Sequence, residues 1–362
     1  MAVVRRLLLV LLGLAGSIAA VEGVLAWIDP ASSARIHYAV RSGVCCERDP
    51  DLLWRLRPGM SAVWRTPEYV EHSRTDRRGM RGPERSDADA RPLVLAVGDS
   101  TTYGVGVDET DAYPAVLEGL LRERGVPGTV LNAGVPGYGF DQTYRAALRR
   151  IDEVAPDLVL AGVHCTDLAG DWDQSLYDIR GGELTELRAA ASWTAIQFAL
   201  YADAPPWLRH SQLYQLLVGD FAHADVLGQL PSRDPAALRR WQRDKIVLEL
   251  ATLAASGRRA GDDVVAVIVP CKEDLTGESK EIYGDLAERL TGAGVATVDA
   301  SADLRAGRPA LAPLFYQEDI HLRPAGNRWL AERVAEGLLE RGLPRTRAEA
   351  GTPAAAVGRS GR

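Results

Sequence analysis

Five short, mostly apolar runs, at residues 93–97, 128–132, 158–163, 264–270 and 295–299, most constrain what this chain can fold into. Three of them read LVLAV, LVLAGV and VVAVIVP. Each is too short for a stable helix, and these three do not alternate polar with apolar residues, so they must be covered on both faces. Stretches with helical periodicity at 112–124, 141–154, 235–256, 280–291 and 324–341 alternate with them. Strands that alternate with helices pair in parallel, because the helix supplies the crossover back to the same end of the sheet. The expected fold class is therefore α/β, a three-layer α/β/α doubly wound parallel sheet. Ligands of such a sheet sit beyond the carboxyl ends of its strands.

A segment of another kind precedes this domain. Arg5 and Arg6 lead into LLLVLLGLAGSIAAVEGVLAWI, residues 7–28, in which Glu22 is the single charge. At about 1.5 Å per residue the run is long enough to cross a hydrocarbon core of roughly 30 Å. Basic residues at its start put the N-terminus in the cytoplasm and everything after Asp29 outside. Small residues at Ala19 and Ala20 also suit a signal-peptidase site. Continuation of the apolar run to Ile28 favours an uncleaved signal anchor over a cleaved leader, and both readings export the remainder, to the periplasm or its equivalent.

The expected organisation is an N-terminal transmembrane helix over 1–28, an exported stalk or accessory segment over 29–91, the main domain over 92–343 and a disordered tail over 344–362. The alternation of strands and helices stops between 169 and 234. That insertion carries Trp172, Trp193 and Trp207 and a helical pattern around SQLYQLLVGDF, and reads either as a lid or substrate wall over the pocket or as a segment whose tryptophans pack only the insertion itself.

A net charge of −7 over 362 residues argues against a nucleic-acid partner, which would call for a basic face. Cys45, Cys46, Cys165 and Cys271 form no C-x-x-C pair, so neither a zinc site nor a disulfide framework is expected, and no metal or organic cofactor is called for.

Two loops carry chemistry. In GDSTTYG, Ser100 follows the first run directly, in the turn that opens onto a helix, where it can act as a helix cap or as a reactive hydroxyl. In YQEDIHLRPAGNRWLAERV, His321 stands just before the last helix, with Glu318 and Asp319 immediately upstream. A serine hydroxyl needs a base to take its proton, and that base needs an acid to fix its tautomer. Among the six histidines, His321 alone is preceded this closely by two acids at the mouth of a helix. A third loop, LNAGVPGYGFDQT, brings Gly134, Gly137 and Gly139 after the second run, so that backbone N–H groups can face an oxyanion. The dinucleotide pattern G-x-G-x-x-G and the nucleophile elbow G-x-S-x-G are both absent.

In this order, over about residues 92–341, these blocks resemble the GDSL/SGNH hydrolase superfamily. The resemblance implies a flavodoxin-like sheet with Ser100 as nucleophile and first oxyanion donor, Gly137 as second donor and His321 as base. Glu318 falls at the family's acid position, three residues before the histidine, and Asp319 is its rival. The third block departs from the pattern: LVLAGVHCTDLAG has Thr166 where the family usually has Asn, which implies that Thr166 or His164 substitutes as the third donor, that the preferred substrate differs, or that activity is poor. LLWRLRPG and DRRGMRGPE are similar to segments of membrane-tethered bacterial members. The implied function is an exported serine esterase or deacylase hydrolysing carboxylic O-acyl esters of a small molecule, glycan or lipid. An O-acyltransferase of envelope glycans using the same triad, and a non-catalytic envelope binding protein with a degenerate site, are the alternatives.

Overall fold

The computed structural model describes residues 2–28, 41, 43–85, 90–169, 175–187, 199–220, 235–260, 263–276, 279–306 and 313–346. Trp172, Trp193, residues 29–40, 42 and 86–89 of the expected stalk, and the tail after 346 lie outside the described residues. In chain order the described strands are β1 (Cys46–Asp49), β2 (Leu53–Leu56), β3 (Ser61–Arg65), β4 (Val70–Arg74), β5 (Leu93–Val97), β6 (Thr129–Asn132), β7 (Leu158–Val163), β8 (Tyr177–Arg180), β9 (Glu183–Glu186), β10 (Asp263–Ile268) and β11 (Ala296–Asp299).

The five apolar runs form one parallel sheet in the order β11-β10-β7-β5-β6. Alternate residues serve opposite faces, which is why the runs are uninterrupted. Leu93, Leu95 and Val97 of β5, with Val159, Ala161 and Val163 of β7, face a core that includes side chains of helices Phe140–Val154, Pro235–Ala260 and Leu286–Gly292. Val94 and Ala96, with Leu158 and Leu160, face the other core, closed by Tyr113–Glu123 and Pro324–Leu339. Truncating a side chain such as Leu160, fully buried between the layers, costs about 2–5 kcal/mol in cores of this kind. The chain leaves β5 toward β6 and then returns to β7 on the opposite side of β5. This reversal opens a crevice at the carboxyl ends of β5 and β7.

Sequence and structure differ in three places. The helix expected over 280–291 is two pieces, Ser279–Tyr283 and Leu286–Gly292, because Gly284 between them takes a left-handed conformation at φ +55°. The segment expected as stalk or accessory is not separate from the main domain beyond Arg55. The chain divides into two compact units, 1–55 with 191–233, and 56–190 with 234–362, so the antiparallel hairpin β3–β4 belongs to the unit of the sheet. Its continuation is hydrogen-bonded to the sheet, with the Arg81 N–H donating to the Asn132 carbonyl at 2.8 Å. The interrupting segment is also divided. Hairpin β8–β9 groups with the sheet, where the Asp141 carboxylate accepts the N–H groups of Leu176 and Tyr177 at 2.7 and 2.9 Å, while 191–233 groups with the N-terminal helix.

Within the first unit, helix α1 (Ala2–Ile28) is long and apolar enough to cross a membrane, with a mean hydropathy of 2.2 over its most apolar stretch.

One buried ionic cluster in the second unit makes a prediction about stability. Lys245 pairs with Asp141 at 2.7 Å between helices 235–260 and 140–154, and Glu249 is fully buried one turn further on. Burial pushes the Glu249 carboxyl well above its usual range; the Asp141 charge adds to this and Lys245 opposes it. The folded chain therefore keeps the Glu249 proton to a higher pH than the unfolded chain, which ionises it above about pH 4.3. Stability from this group is complete below that pH and declines as pH rises. Glu249→Gln, which keeps the shape and never ionises, is expected to raise the melting temperature of the chain at pH 8, and the gain over wild type should vanish toward pH 4. Thermal unfolding followed at both pH values checks it.

Candidate active site

β5 ends where two residues, Gly98 and Asp99, turn the chain into helix Ser100–Tyr103. Gly98 fits because the turn is crowded: a Cβ there would stand 2.2 Å from Thr102 Oγ1. Asp99 caps the helix, its Oδ1 accepting the Thr101 N–H at 2.8 Å, and Gly104 ends it at φ +88°. Capping therefore belongs to Asp99. The Ser100 hydroxyl is left half-exposed and lies 2.8 Å from His321 Nε2.

His321 reaches this position from the loop ahead of helix Pro324–Leu339. Its Nδ1 is 2.5 Å from Asp319 Oδ1, and the same oxygen accepts the His321 backbone N–H at 3.0 Å. Asp319, two residues upstream, thus closes a local turn that aims its carboxylate along the imidazole. Glu318 is not brought to the histidine. Its side chain is exposed, and its backbone N–H is directed to Glu68. Burial would raise the Asp319 carboxyl, but hydrogen bonds from His321, the imidazole charge and the Tyr69 hydroxyl overcome it and hold the group at about 2.

The turn of hairpin β3–β4 grips the histidine loop. Glu68 accepts three consecutive backbone N–H groups, those of Gln317 at 2.6 Å, Glu318 at 3.1 Å and Asp319 at 2.9 Å. Beside it the Tyr69 hydroxyl donates to Asp319 Oδ2 at 3.2 Å, and its ring packs on Tyr316 with centroids 5.0 Å apart. The turn itself is set by Thr66, whose Oγ1 accepts the N–H groups of both Glu68 and Tyr69. The serine side is braced in a similar way. Fully buried Glu71 accepts the Gly106 N–H at 2.8 Å, and the Arg81 guanidinium donates to the carbonyls of Tyr103, Gly104 and Val107. The Tyr316 hydroxyl joins the two loops by donating to the Gly106 carbonyl at 2.6 Å. The sequence assigns no role to Glu68, Tyr69, Glu71 or Arg81: TPEY marks only a hairpin turn, and Arg81 stands in DRRGMRGPE, a segment that carries resemblance but no stated chemistry.

The third loop predicted to bind an oxyanion stands beside the serine turn, with the Val135 N–H donating to the Gly98 carbonyl at 3.0 Å. Gly137 sits in it at φ +82°, half-exposed. After β7, Thr166 is exposed, and its Oγ1 lies 2.8 Å from His164 Nδ1 and 3.5 Å from Asp99 Oδ2. Asp167 accepts the His164 N–H at 2.8 Å and fixes this turn. Burial lowers the affinity of His164 for a proton, with Asp99 opposing, which favours the neutral ring beside the Thr166 hydroxyl.

Cys165, Cys271 and Glu273 bring their ligand atoms within 4.8 Å of one another, the one such group among the described residues. Three donors are one short of a closed zinc site. Contact with the Cys271 thiol, followed by burial, pushes the Cys165 thiol far up, so it stays protonated.

A family model described as "SGNH hydrolase-like domain, acetyltransferase AlgX" matches residues 245–359, a stretch that includes His321 and begins after Ser100. No curated protein matches the chain. Among solved structures similar to it, LAE5, an alpha/beta hydrolase enzyme from the metagenome of Lake Arreo, is 15% identical over 69% of this chain and 96% of its own, with a TM-score of 0.42. A G-D-S-L family protein from Desulfitobacterium hafniense is 13% identical over 68% and 100%, with a TM-score of 0.40. The psychrotrophic esterase EstA from Pseudoalteromonas is 11% identical over 69% and 98%, with a TM-score of 0.40.

Proposed function

We propose, from the premise that this chain belongs to the GDSL/SGNH hydrolase superfamily, that it is an exported serine enzyme cleaving carboxylic O-acyl esters. The observation that carries the reading is the alignment of Ser100 Oγ, the two nitrogens of His321 and Asp319 Oδ1, at 2.8 and 2.5 Å. Ser100 Oγ attacks the acyl carbonyl and its proton passes to His321 Nε2. Asp319 holds the opposite N–H and stabilises the imidazolium that forms. The oxyanion is received by the N–H groups of Ser100 and Gly137, with the Thr166 hydroxyl as third donor. His321 then protonates the leaving alcohol, and a second hydroxyl attacks the acyl-serine, returning its own proton through the same nitrogen. Asp319 takes the orienting role in place of Glu318 because its carboxylate is the one within reach. No step calls on a metal or organic cofactor.

The second hydroxyl is water in an esterase and an acceptor's hydroxyl in an O-acyltransferase. The acetyltransferase in the matching family's description favours keeping acyl transfer as a reading beside hydrolysis, with an exported glycan as acceptor. An anchoring α1 led by Arg5 and Arg6 supports an extracytoplasmic site. The purified full-length chain, incubated with short-chain p-nitrophenyl esters and with an O-acetyl donor plus a glycan, is expected to release the phenol or to acetylate the glycan. Release at the rate of a buffer blank, with no acylated product, overturns both readings.

Glu68 serves as a positioning residue in this scheme. Glu68→Ala leaves three loop amides without their acceptor, and displacement of a catalytic group by about 1 Å can cost on the order of 10²-fold in rate. The expected result is a fall in kcat of that order with KM nearly unchanged and the circular dichroism spectrum retained. A purely structural role would instead lower the melting temperature and leave kcat per folded molecule intact.

A further inference from the structure

Glu22 is the one charge in the apolar run of α1. It stands six residues before the helix ends at Ile28, which at about 1.5 Å per residue is roughly 9 Å, inside the outer third of a span of that length. A carboxylate at such a depth is costly unless donors come with it. They do: within the same compact unit, the Ser211 hydroxyl, the Gln212 N–H at 2.7 Å and the Leu213 N–H at 3.2 Å all donate to Glu22. The two amides belong to the first turn of helix Gln212–Gln215, which continues as Leu216–Asp220. These N–H groups lack an intrahelical acceptor, and the carboxylate supplies one. Along α1, only Glu22 and Leu25 are partly covered; every other described residue is exposed. Around this contact the unit turns large apolar side chains outward, with Trp27 82%, Trp207 74% and Leu217 52% exposed. Tryptophan favours the boundary between hydrocarbon and headgroups.

Resting on the reading of α1 as a membrane anchor, we propose that residues 206–218 lie in the outer-leaflet interface of the phospholipid bilayer, held at that depth by Glu22. The partner of Trp207 and Leu217 is then lipid. Both the carboxylate and the helix start are satisfied by a contact that a membrane-embedded segment needs and a water-exposed one does not.

The test uses the full-length chain in phosphatidylcholine–phosphatidylglycerol vesicles, floated on a density gradient. Trp207 emission is isolated as the difference between wild type and Trp207→Phe. With acyl chains brominated near the headgroup, that emission is expected to be quenched strongly, with chains brominated near the methyl end weakly, and with aqueous iodide hardly at all. Glu22→Ala and, separately, Ser211→Ala should still float but lose the lipid quenching. A chain that floats with Trp207 quenched by iodide overturns the proposal and leaves the anchor reading standing. Lipid quenching that survives both substitutions overturns the role of Glu22, and failure to float overturns the anchor and the proposal together.

Discussion

Ser100→Ala is expected to lower ester cleavage by about 10⁴-fold or more, the scale on which removal of a triad nucleophile acts. It should also abolish covalent labelling by a fluorophosphonate probe. The substitution is well suited to the purpose. Asp99, not Ser100, caps the short helix, and alanine is at home in one, so the turn keeps its hydrogen bond to Thr101. What disappears is the hydroxyl 2.8 Å from His321. The folded variant should therefore melt within a few degrees of wild type while losing activity. Wild-type folding with unlabelled Ser100 would favour the non-catalytic envelope binder, and equal activity in both proteins would move the chemistry elsewhere.

Asp319→Asn should cost nearly as much, about 10³- to 10⁴-fold in kcat, because a carboxamide can face Nδ1 with its NH₂ group and leave the proton on Nε2, where Ser100 needs a base. Glu318→Gln, one residue away and exposed, should leave kcat within about twofold. Measuring both variants decides between the two acids. A pH dependence follows from the same carboxyl. Held at about 2 in the folded chain and near 3.9 when unfolded, it stays ionised through any mildly acidic assay, so activity lost near pH 5 has another origin. Its stabilising contribution is complete above about pH 4 and disappears as pH falls toward about 2. In Asp319→Asn that part of the acid unfolding curve should flatten.

Much of this architecture could be read in advance for a definite reason. A strand covered on both faces has nowhere to put a polar side chain, so LVLAV and LVLAGV announce both their conformation and their layers. Ser100 and His321 were legible because each adjoins such an element, one following β5 and the other preceding the last helix. The acid was left open between two neighbours because the family pattern counts three residues back, whereas the local turn closes at two. Asp319 reaches Nδ1 while its own Oδ1 also binds the His321 N–H, and Glu318, one position further, points into solvent. Glu68 and Tyr69 were out of reach. They touch a loop about 250 residues later from a turn between strands of mixed polarity, and no local pattern encodes that distance. Gly284 was misjudged for the opposite reason, since a glycine inside a helical pattern is usually tolerated and here it ends the helix.

The hairpin turn that grips the histidine loop has a bearing on modularity. The apolar runs draw a border at Pro92, and a fragment cut there would retain every strand of the sheet and the hydrogen-bonded residues Ser100, His321 and Asp319. It would also lose the acceptor of the amides at 317–319, the Tyr69 hydroxyl on Asp319, and the guanidinium that occupies the carbonyls of Tyr103 and Gly104. The smallest portable piece of this molecule is thus larger than its recognisable domain: any fusion, graft or truncation must carry the chain from Leu56 onward to move Ser100, His321 and Asp319 with their supports.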